Sequence, residues 1–240
     1  MPETAVQPIL MRRSALLERL IDLEMEPGAV FSTDASLPGS PPPAGWEWLP
    51  RSARDSPSGL FTVSGTVQDL PSKPRLAIAP PFPVLRQGES SFDDIRALLN
   101  HRWTVAIFLL RLGHYAVGIA EDERLVASKV GARYVKNRQR QGGQSTNRFA
   151  RNRDKWIREL FDEAGEVARS RFEEYEGRID WLALGGDRLV LAQFLKRVRL
   201  PEGLAERLLP WQVPVERPGR SALEPAVRDA WASRVYESPV

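Results

Sequence analysis

Three consecutive residues, Gly142, Gly143 and Gln144, are candidates for chemistry because two of them free the backbone and the third carries an amide. Adjacent glycines permit positive φ angles and let the main chain approach a substrate closely. A glutamine side chain donates and accepts hydrogen bonds but does not titrate. It can therefore orient a water molecule or stabilise an oxyanion, whereas it cannot act as a general acid or base. Such help is sufficient only for an electrophile that is already activated, such as an ester.

A strongly basic segment surrounds this triplet. Between Arg133 and Arg158 the sequence has nine Lys or Arg residues and one acid, Asp154, so the segment carries +8 and the rest of the chain −5. A basic block on a near-neutral chain is typical of a partner with a phosphate backbone, although charge runs are more often solvated helix faces. Because interspersed acids are missing, the pattern favours nucleic acid, and an aminoacyl ester on a tRNA 3′ end is then a suitable electrophile. The predicted RNA contacts are Arg133, Lys136, Arg138, Arg140, Arg148, Arg151 and Arg153.

Composition removes several other classes of protein. The 240 residues include no cysteine and two histidines, which excludes disulfides, thiol nucleophiles and Cys-based zinc sites. The longest apolar run, residues 103–110, is too short to span a bilayer. The N-terminus lacks a basic region followed by an apolar stretch, as a signal peptide would have. We therefore expect a cytoplasmic protein with no cofactor, no metal and no membrane partner.

A metal-dependent nuclease is disfavoured by the positions of the carboxylates. Such enzymes hold two metal ions with clustered acids, but the apolar run 104–110 contains none. The acids at residues 121–123 suit the tip of a hairpin. Asp180 and Asp187 suit a turn and a helix cap, respectively.

The pattern after His101 predicts a mixed sheet flanked by helices. Strands at 104–111, 115–120 and 125–134, joined by short turns, form an antiparallel meander. A polar loop (136–147), a long amphipathic helix (148–175), a strand (179–184) and a helix (187–198) follow. A possible fifth strand (211–215) and a final helix (222–232) end the series. This order predicts an α/β fold of the ribonuclease-H-like kind.

The first hundred residues are predicted to form an irregular N-terminal extension, with a catalytic domain at 101–240. Residues 9–24 have the spacing of an amphipathic helix, and residues 26–58 are rich in Pro, Ser and Gly. Residues 76–79 suit a short strand. Ser91 is placed to cap a helix that runs to about residue 99.

Three stretches of this sequence have counterparts in a known family. They are GHYAVGIAEDERLVAS, the adjoining KVGARYVKNRQRQGGQSTNRFARNRDKW (Lys129 to Trp156), and WLALGGD (Trp181 to Asp187). Together they make the region from about His101 to Trp211 resemble the catalytic domain of eukaryotic- and archaeal-type peptide chain release factors. The resemblance is closer still to the Vms-like release factors of ribosome quality control, particularly the bacterial, actinobacterial branch.

The resemblance implies a domain that reaches the peptidyl transferase centre of the large ribosomal subunit, where its loop meets the CCA end of peptidyl-tRNA. Gly142 and Gly143 would shape the loop, and Gln144 would place the hydrolytic water with help from the terminal ribose hydroxyl. The predicted function is peptidyl-tRNA hydrolysis in ribosome rescue, by a protein that is monomeric off the ribosome.

Two alternatives stay open. Cleavage within the tRNA CCA end has been attributed to eukaryotic relatives with variant loops, although the plain Gly-Gly-Gln of this chain favours ester hydrolysis. A noncatalytic protein that binds rRNA or the ribosome would use the same basic segment without needing Gln144.

Overall fold

The computed structural model describes residues 6–67, 73–133 and 145–238, without the side chains of residues 67 and 145–150. The chain divides into two compact units: Met1–His101 with Trp231–Val240, and Arg102–Ala230. Each unit contains a sheet and helices, so the predicted mixed α/β class is confirmed. Among the described residues, no helix is long and apolar enough to cross a bilayer.

The first unit is built on an antiparallel sheet of six strands. Its helices are α1 (Arg13–Glu24), the short α2 (Arg51–Arg54) and α3 (Phe92–Asn100). The apolar faces of α1 and α3 pack with the strands in one core, which contains Leu16, Leu20, Ile95, Val63 and Ile78. The strands are β1 (Ile9–Met11), β2 (Ala29–Ser36), β3 (Leu60–Val67), β4 (Lys73–Ala79), β5 (Gly88–Ser90) and β10 (Ser233–Glu237). Their order in the sheet is β1-β10-β4-β3-β2-β5.

The second unit has a mixed sheet of four strands with the order β8-β7-β6-β9. β6 (Thr104–Arg111), β7 (His114–Glu121) and β8 (Arg124–Ala132) form the predicted antiparallel meander. β9 (Trp181–Gly186) lies parallel to β6. The helices of this unit are α4 (Ser145–Glu173), α5 (Arg188–Arg197) and α6 (Arg220–Ala230).

Helices cover both faces of the four-stranded sheet. Alternate strand residues such as Phe108 and Val117 join a core with α4 and α5. A Cβ atom built on Gly118 would lie on the opposite face of the sheet, 3.1 Å from Leu223 of α6. Because both faces are covered, residues 105–110 are all buried, which explains the unbroken apolar run in the sequence.

The N-terminal region differs from the irregular extension predicted for residues 1–100. It forms most of a six-stranded sheet, and residues 9–24 divide into strand β1 and helix α1. Strand β2 lies inside the stretch 26–58, where polar side chains interrupt the apolar pattern. The helix at Ser91 is confirmed: Ser91 and Asp94 form a capping box, with the Asp94 N–H donating to Ser91 Oγ at 3.1 Å.

The C-terminal region also departs from prediction. Residues 233–237 form β10, which pairs with β1 and β4 of the first unit instead of ending a domain that runs from 101 to 240. The expected strand at 211–215 is reduced to a single bridge between Val213 and Gly185 of β9, since Pro210 and Pro214 lack the N–H groups that a ladder needs. Residues 145–147, expected in the loop, are the start of α4.

Candidate functional site

The triplet lies in the sequence between the end of β8 and the start of α4. β8 ends beside the β6–β7 turn: Ala132 pairs with His114, and the Arg133 N–H donates to the Gly113 carbonyl at 2.9 Å. Gly113 has a φ of 95°, which a glycine adopts without strain. Six of the predicted site residues lie outside the described residues: Gly142, Gly143, Gln144, Lys136, Arg138 and Arg140.

Apart from Arg133, the described residues of the basic segment lie at the beginning of α4. Arg151, Lys155 and Arg158 are exposed and Arg153 is half-buried, whereas Leu160 is the first buried residue after position 150. No acid occupies the first turn, although acids are what a helix N-terminus favours. Arg148 belongs to this stretch of helix, but its side chain is not described. The exposed cations of this stretch, Arg151, Lys155 and Arg158, therefore precede the first fully buried residue of α4.

A polar cluster ties the end of β8 to α4. The Arg133 guanidinium donates to Glu159 Oε2 at 2.9 Å and to Glu163 Oε2 at 3.1 Å. The Tyr115 hydroxyl, from β7, donates to the other Glu163 oxygen at 3.0 Å. We call these four residues the Glu163 cluster. The hydrogen bonds that Arg133 donates to Glu163 and Glu159 raise its pKa.

Tyr115 reaches α4 because its neighbour on β8 is a glycine. Tyr115 pairs with Gly131, and a Cβ atom built on Gly131 would lie 2.2 Å from the tyrosine ring. The tyrosine is 2% exposed. This burial, followed by the hydrogen bond to Glu163, raises its pKa to about 12. The hydroxyl therefore stays protonated, and able to donate, throughout the physiological range of pH.

Arg133 differs from Arg151 and Arg153, the other predicted RNA contacts whose side chains the structure describes. Its guanidinium is engaged by two carboxylates, so it is not available as the simple phosphate contact that its position in the basic segment suggested. Sequence reasoning also missed Tyr115, Glu159 and Glu163. One signal was present: two acids four residues apart on a helix repel each other, unless a cation lies between them.

The carboxylates considered for a nuclease serve as turn and cap groups. Asp122 and Glu123 have φ angles of 47° and 66° and form the two-residue β7–β8 turn. Asp180 accepts from the Thr104 N–H at 2.8 Å, and Asp187 accepts from the N–H groups of Leu189 and Val190 at the start of α5. Within the described ranges, no group of three or more His, Asp or Glu residues could hold a metal ion.

Comparison with protein families gives one match that covers more than half of the chain. The family model for the Actinobacteria/chloroflexi VLRF1 release factor matches residues 103–236. Those residues include the whole four-stranded sheet, the connection after β8 and all of α4.

Individual relatives are more distant. The chain is similar to peptide chain release factor subunit 1 of Methanopyrus kandleri, with 28% identity over 159 residues, which is 63% of this chain and 39% of that protein. Peptide chain release factor subunit 1 of Archaeoglobus fulgidus is 25% identical over 159 residues, again 63% of this chain and 39% of that protein. The chain thus matches 39% of the length of these curated relatives.

Similar solved structures include the archaeal translation termination factor aRF1 and the Vms1 mitochondrial localization core. The first has a TM-score of 0.44 and 17% identity, covering 92% of this chain and 70% of that one. The second has a TM-score of 0.43 and 16% identity, covering 75% of this chain and 77% of that one.

Proposed function

Since the chain belongs to the Actinobacteria/chloroflexi VLRF1 release factor family, we propose that it hydrolyses the ester of peptidyl-tRNA and releases the nascent peptide from stalled large-subunit complexes. Gly142, Gly143 and Gln144 form the catalytic loop in this proposal. We assign stalled complexes as the substrate, in preference to ribosomes at a stop codon, because the sequence resembles Vms-like release factors. The partners are the rRNA of the peptidyl transferase centre and peptidyl-tRNA.

One observation supports the proposal most strongly: the Gly-Gly-Gln triplet falls in the connection between an anchored strand end and a cationic helix start. The Glu163 cluster fixes Arg133, where the connection begins. Exposed Arg151, Lys155 and Arg158 follow shortly after the connection ends. In this proposal the triplet meets the ester carbonyl group while the neighbouring cations bind nearby phosphates.

The proposed reaction uses Gln144 to orient groups and not to transfer protons. The oxygen of a water molecule attacks the ester carbonyl carbon, the bond from that carbon to the ribose 3′ oxygen breaks, and a proton passes to this oxygen. The glutamine amide hydrogen-bonds the attacking water or the developing oxyanion. The two glycines allow the backbone to approach the CCA end without a side chain in the way.

The cationic start of α4 supplies the proposed contacts to RNA. Arg148, Arg151 and Arg153 are assigned to phosphates of rRNA or tRNA, together with Lys136, Arg138 and Arg140 of the connection. We leave Arg133 out of this set because Glu159 and Glu163 engage its guanidinium.

A release assay tests the proposal. Purified protein is added to large subunits that hold peptidyl-tRNA with a labelled nascent chain, and both the peptide and the tRNA 3′ end are sized. We expect free peptide and a tRNA of full length. A tRNA shortened at its 3′ end would establish CCA cleavage instead. Binding without release of peptide would show a noncatalytic ribosome-binding protein. Either of these two results overturns the proposed hydrolase.

A further inference from the structure

We propose that Glu163 is a positioning residue that sets where the catalytic loop leaves the sheet, acting through Arg133. This inference rests on the proposed function, because it concerns the placement of the same loop. Glu163 does not reach the substrate in this proposal. It acts by holding the residue from which the loop departs.

Glu163 joins three elements that meet at the loop end of the sheet. Its Oε1 accepts from Tyr115 on β7 and its Oε2 accepts from Arg133, which directly follows β8. Glu163 itself belongs to α4, the helix to which the loop leads. The strand before the loop and the helix after it are thus linked through one carboxylate, and both of its oxygens are used.

Glu159 adds a second contact to the same guanidinium. One terminal nitrogen of the Arg133 guanidinium donates a hydrogen bond to Glu163. The other terminal nitrogen donates to Glu159, which lies one helical turn earlier. A planar guanidinium held by two acceptors has a defined orientation as well as a position. The Arg133 backbone is also fixed, because its N–H donates to the Gly113 carbonyl. Side chain and main chain therefore both restrict the first residue of the connection.

Stability alone is a poor explanation for this arrangement. The side chains of Arg133, Glu159 and Glu163 are 41%, 32% and 38% exposed. Ion pairs that are this accessible to water contribute little to folding. Orientation of a reacting group is far more sensitive, since a displacement of about 1 Å can lower a rate by about 100-fold.

The buried Tyr115 distinguishes this cluster from an ordinary surface ion pair. Its ring fits over Gly131, and the hydroxyl holds Glu163 from the side of the core. Gly131→Ala would push the ring away without removing any charge or any member of the cluster. The inference therefore predicts the same defect from two unrelated changes, Glu163→Gln and Gly131→Ala.

The test compares Glu163→Gln with Asp162→Asn in single-turnover release from the labelled large-subunit complexes. Asp162 is the matched control: it is the preceding residue of α4, and it pairs with Arg197 through two contacts of 2.8 Å. We expect Glu163→Gln to lower the release rate at saturating protein by about 10- to 100-fold. Half-saturation and the melting temperature should match those of Asp162→Asn, which should release peptide at the wild-type rate.

A double variant tests the route through Arg133. If Glu163 acts through this residue, Arg133→Gln/Glu163→Gln should be no slower than the slower single variant. If the double variant instead lowers the release rate by the product of the two single-variant factors, Glu163 does not act through Arg133. A wild-type rate for Glu163→Gln, or an equal loss in Asp162→Asn, would overturn the inference while leaving the hydrolase intact. If the wild-type protein itself releases no peptide, the proposed function fails instead.

Discussion

At the scale of single residues, Tyr115 is the group whose protonation the fold controls most clearly. Its side chain is buried in the core of the second unit and its hydroxyl donates to a carboxylate, so the neutral form is favoured. The pKa rises from 10.0 to about 12, with burial as the largest cause. The folded protein therefore holds this proton more tightly than the unfolded chain does.

The raised pKa of Tyr115 predicts a loss of stability at alkaline pH. The stabilisation is complete below the unfolded pKa of 10.0 and disappears as the pH rises toward about 12, because the unfolded chain gives up the proton first. Urea unfolding at about pH 8 and about pH 11 should show a smaller loss for Tyr115→Phe than for the wild type.

Tyr236→Phe is the matched control for this experiment, because Tyr236 is a buried tyrosine of the first unit whose pKa is also raised by burial. It should leave the alkaline loss of the second unit unchanged. The interpretation of Tyr115 would be wrong if Tyr115→Phe lost as much stability over this range as the wild-type protein.

Individual residues also show which features of the proposed site depend on local composition and which depend on the fold. The triplet and the exposed Arg151 follow from local composition. The role of Arg133 does not, because its two partners lie 26 and 30 residues further along the chain. A charge run shows that cations are present, but it does not show which of them are already paired within the fold.

At the scale of secondary-structure elements, the beginning of α4 concentrates the cations that the proposed function needs. Replacing Arg151 and Arg153 by glutamine should weaken binding to labelled deacylated tRNA, since both are assigned to phosphates. The salt dependence should also fall, with the slope of log K against log salt decreasing by about 0.7–0.9 for each phosphate that the protein no longer neutralises. Binding titrations between low and moderate salt measure both effects.

The control is Arg169→Gln/Arg228→Gln, which removes two exposed arginines away from the start of α4. Arg169 lies later in α4, and Arg228 lies in α6. It should leave the slope unchanged. Equal slopes for the two double variants would mean that the protein responds only to net charge, and that the start of α4 has no special place in RNA binding.

Elements with a strong local pattern were predictable, and elements that depend on distant pairing were not. β6, β7 and β8 have apolar runs and tight turns, and the α3 capping box lies in four consecutive residues. β10 has only five residues, and its partners are β1 and β4, far away in the sequence. β2 mixes polar and apolar side chains, so its sequence pattern is more typical of a loop than of a strand.

At the scale of the whole molecule, the last ten residues return to the first unit. β10 lies between β1 and β4 in the six-stranded sheet, and Trp231 packs edge-on against Phe82 with 5.6 Å between the ring centroids. The first unit is therefore incomplete without residues 231–238. A boundary placed between residues 100 and 101 misses this return of the chain.

Removing the Trp231 side chain tests this organisation. Trp231→Ala deletes a large side chain that is 1% exposed and should destabilise the first unit by about 3–5 kcal/mol. Hydrogen exchange should accelerate in β3 and β4, which belong to the sheet that β10 completes. Trp211→Ala, which changes a partly exposed tryptophan of the second unit, is the comparison variant. Unchanged exchange in β3 and β4 would contradict this account of the first unit.

The central claim is that Gln144 positions the water that hydrolyses peptidyl-tRNA, and one measurement tests it most directly. Single-turnover peptide release from stalled large-subunit complexes is compared for the wild type, Gln144→Ala and Gln141→Ala, the last being the same change three residues earlier. Loss of a positioned hydrogen-bonding group predicts a release rate lower by about 100- to 1,000-fold for Gln144→Ala, with nearly unchanged binding and with Gln141→Ala close to the wild type. Release by Gln144→Ala at the wild-type rate would contradict the claim.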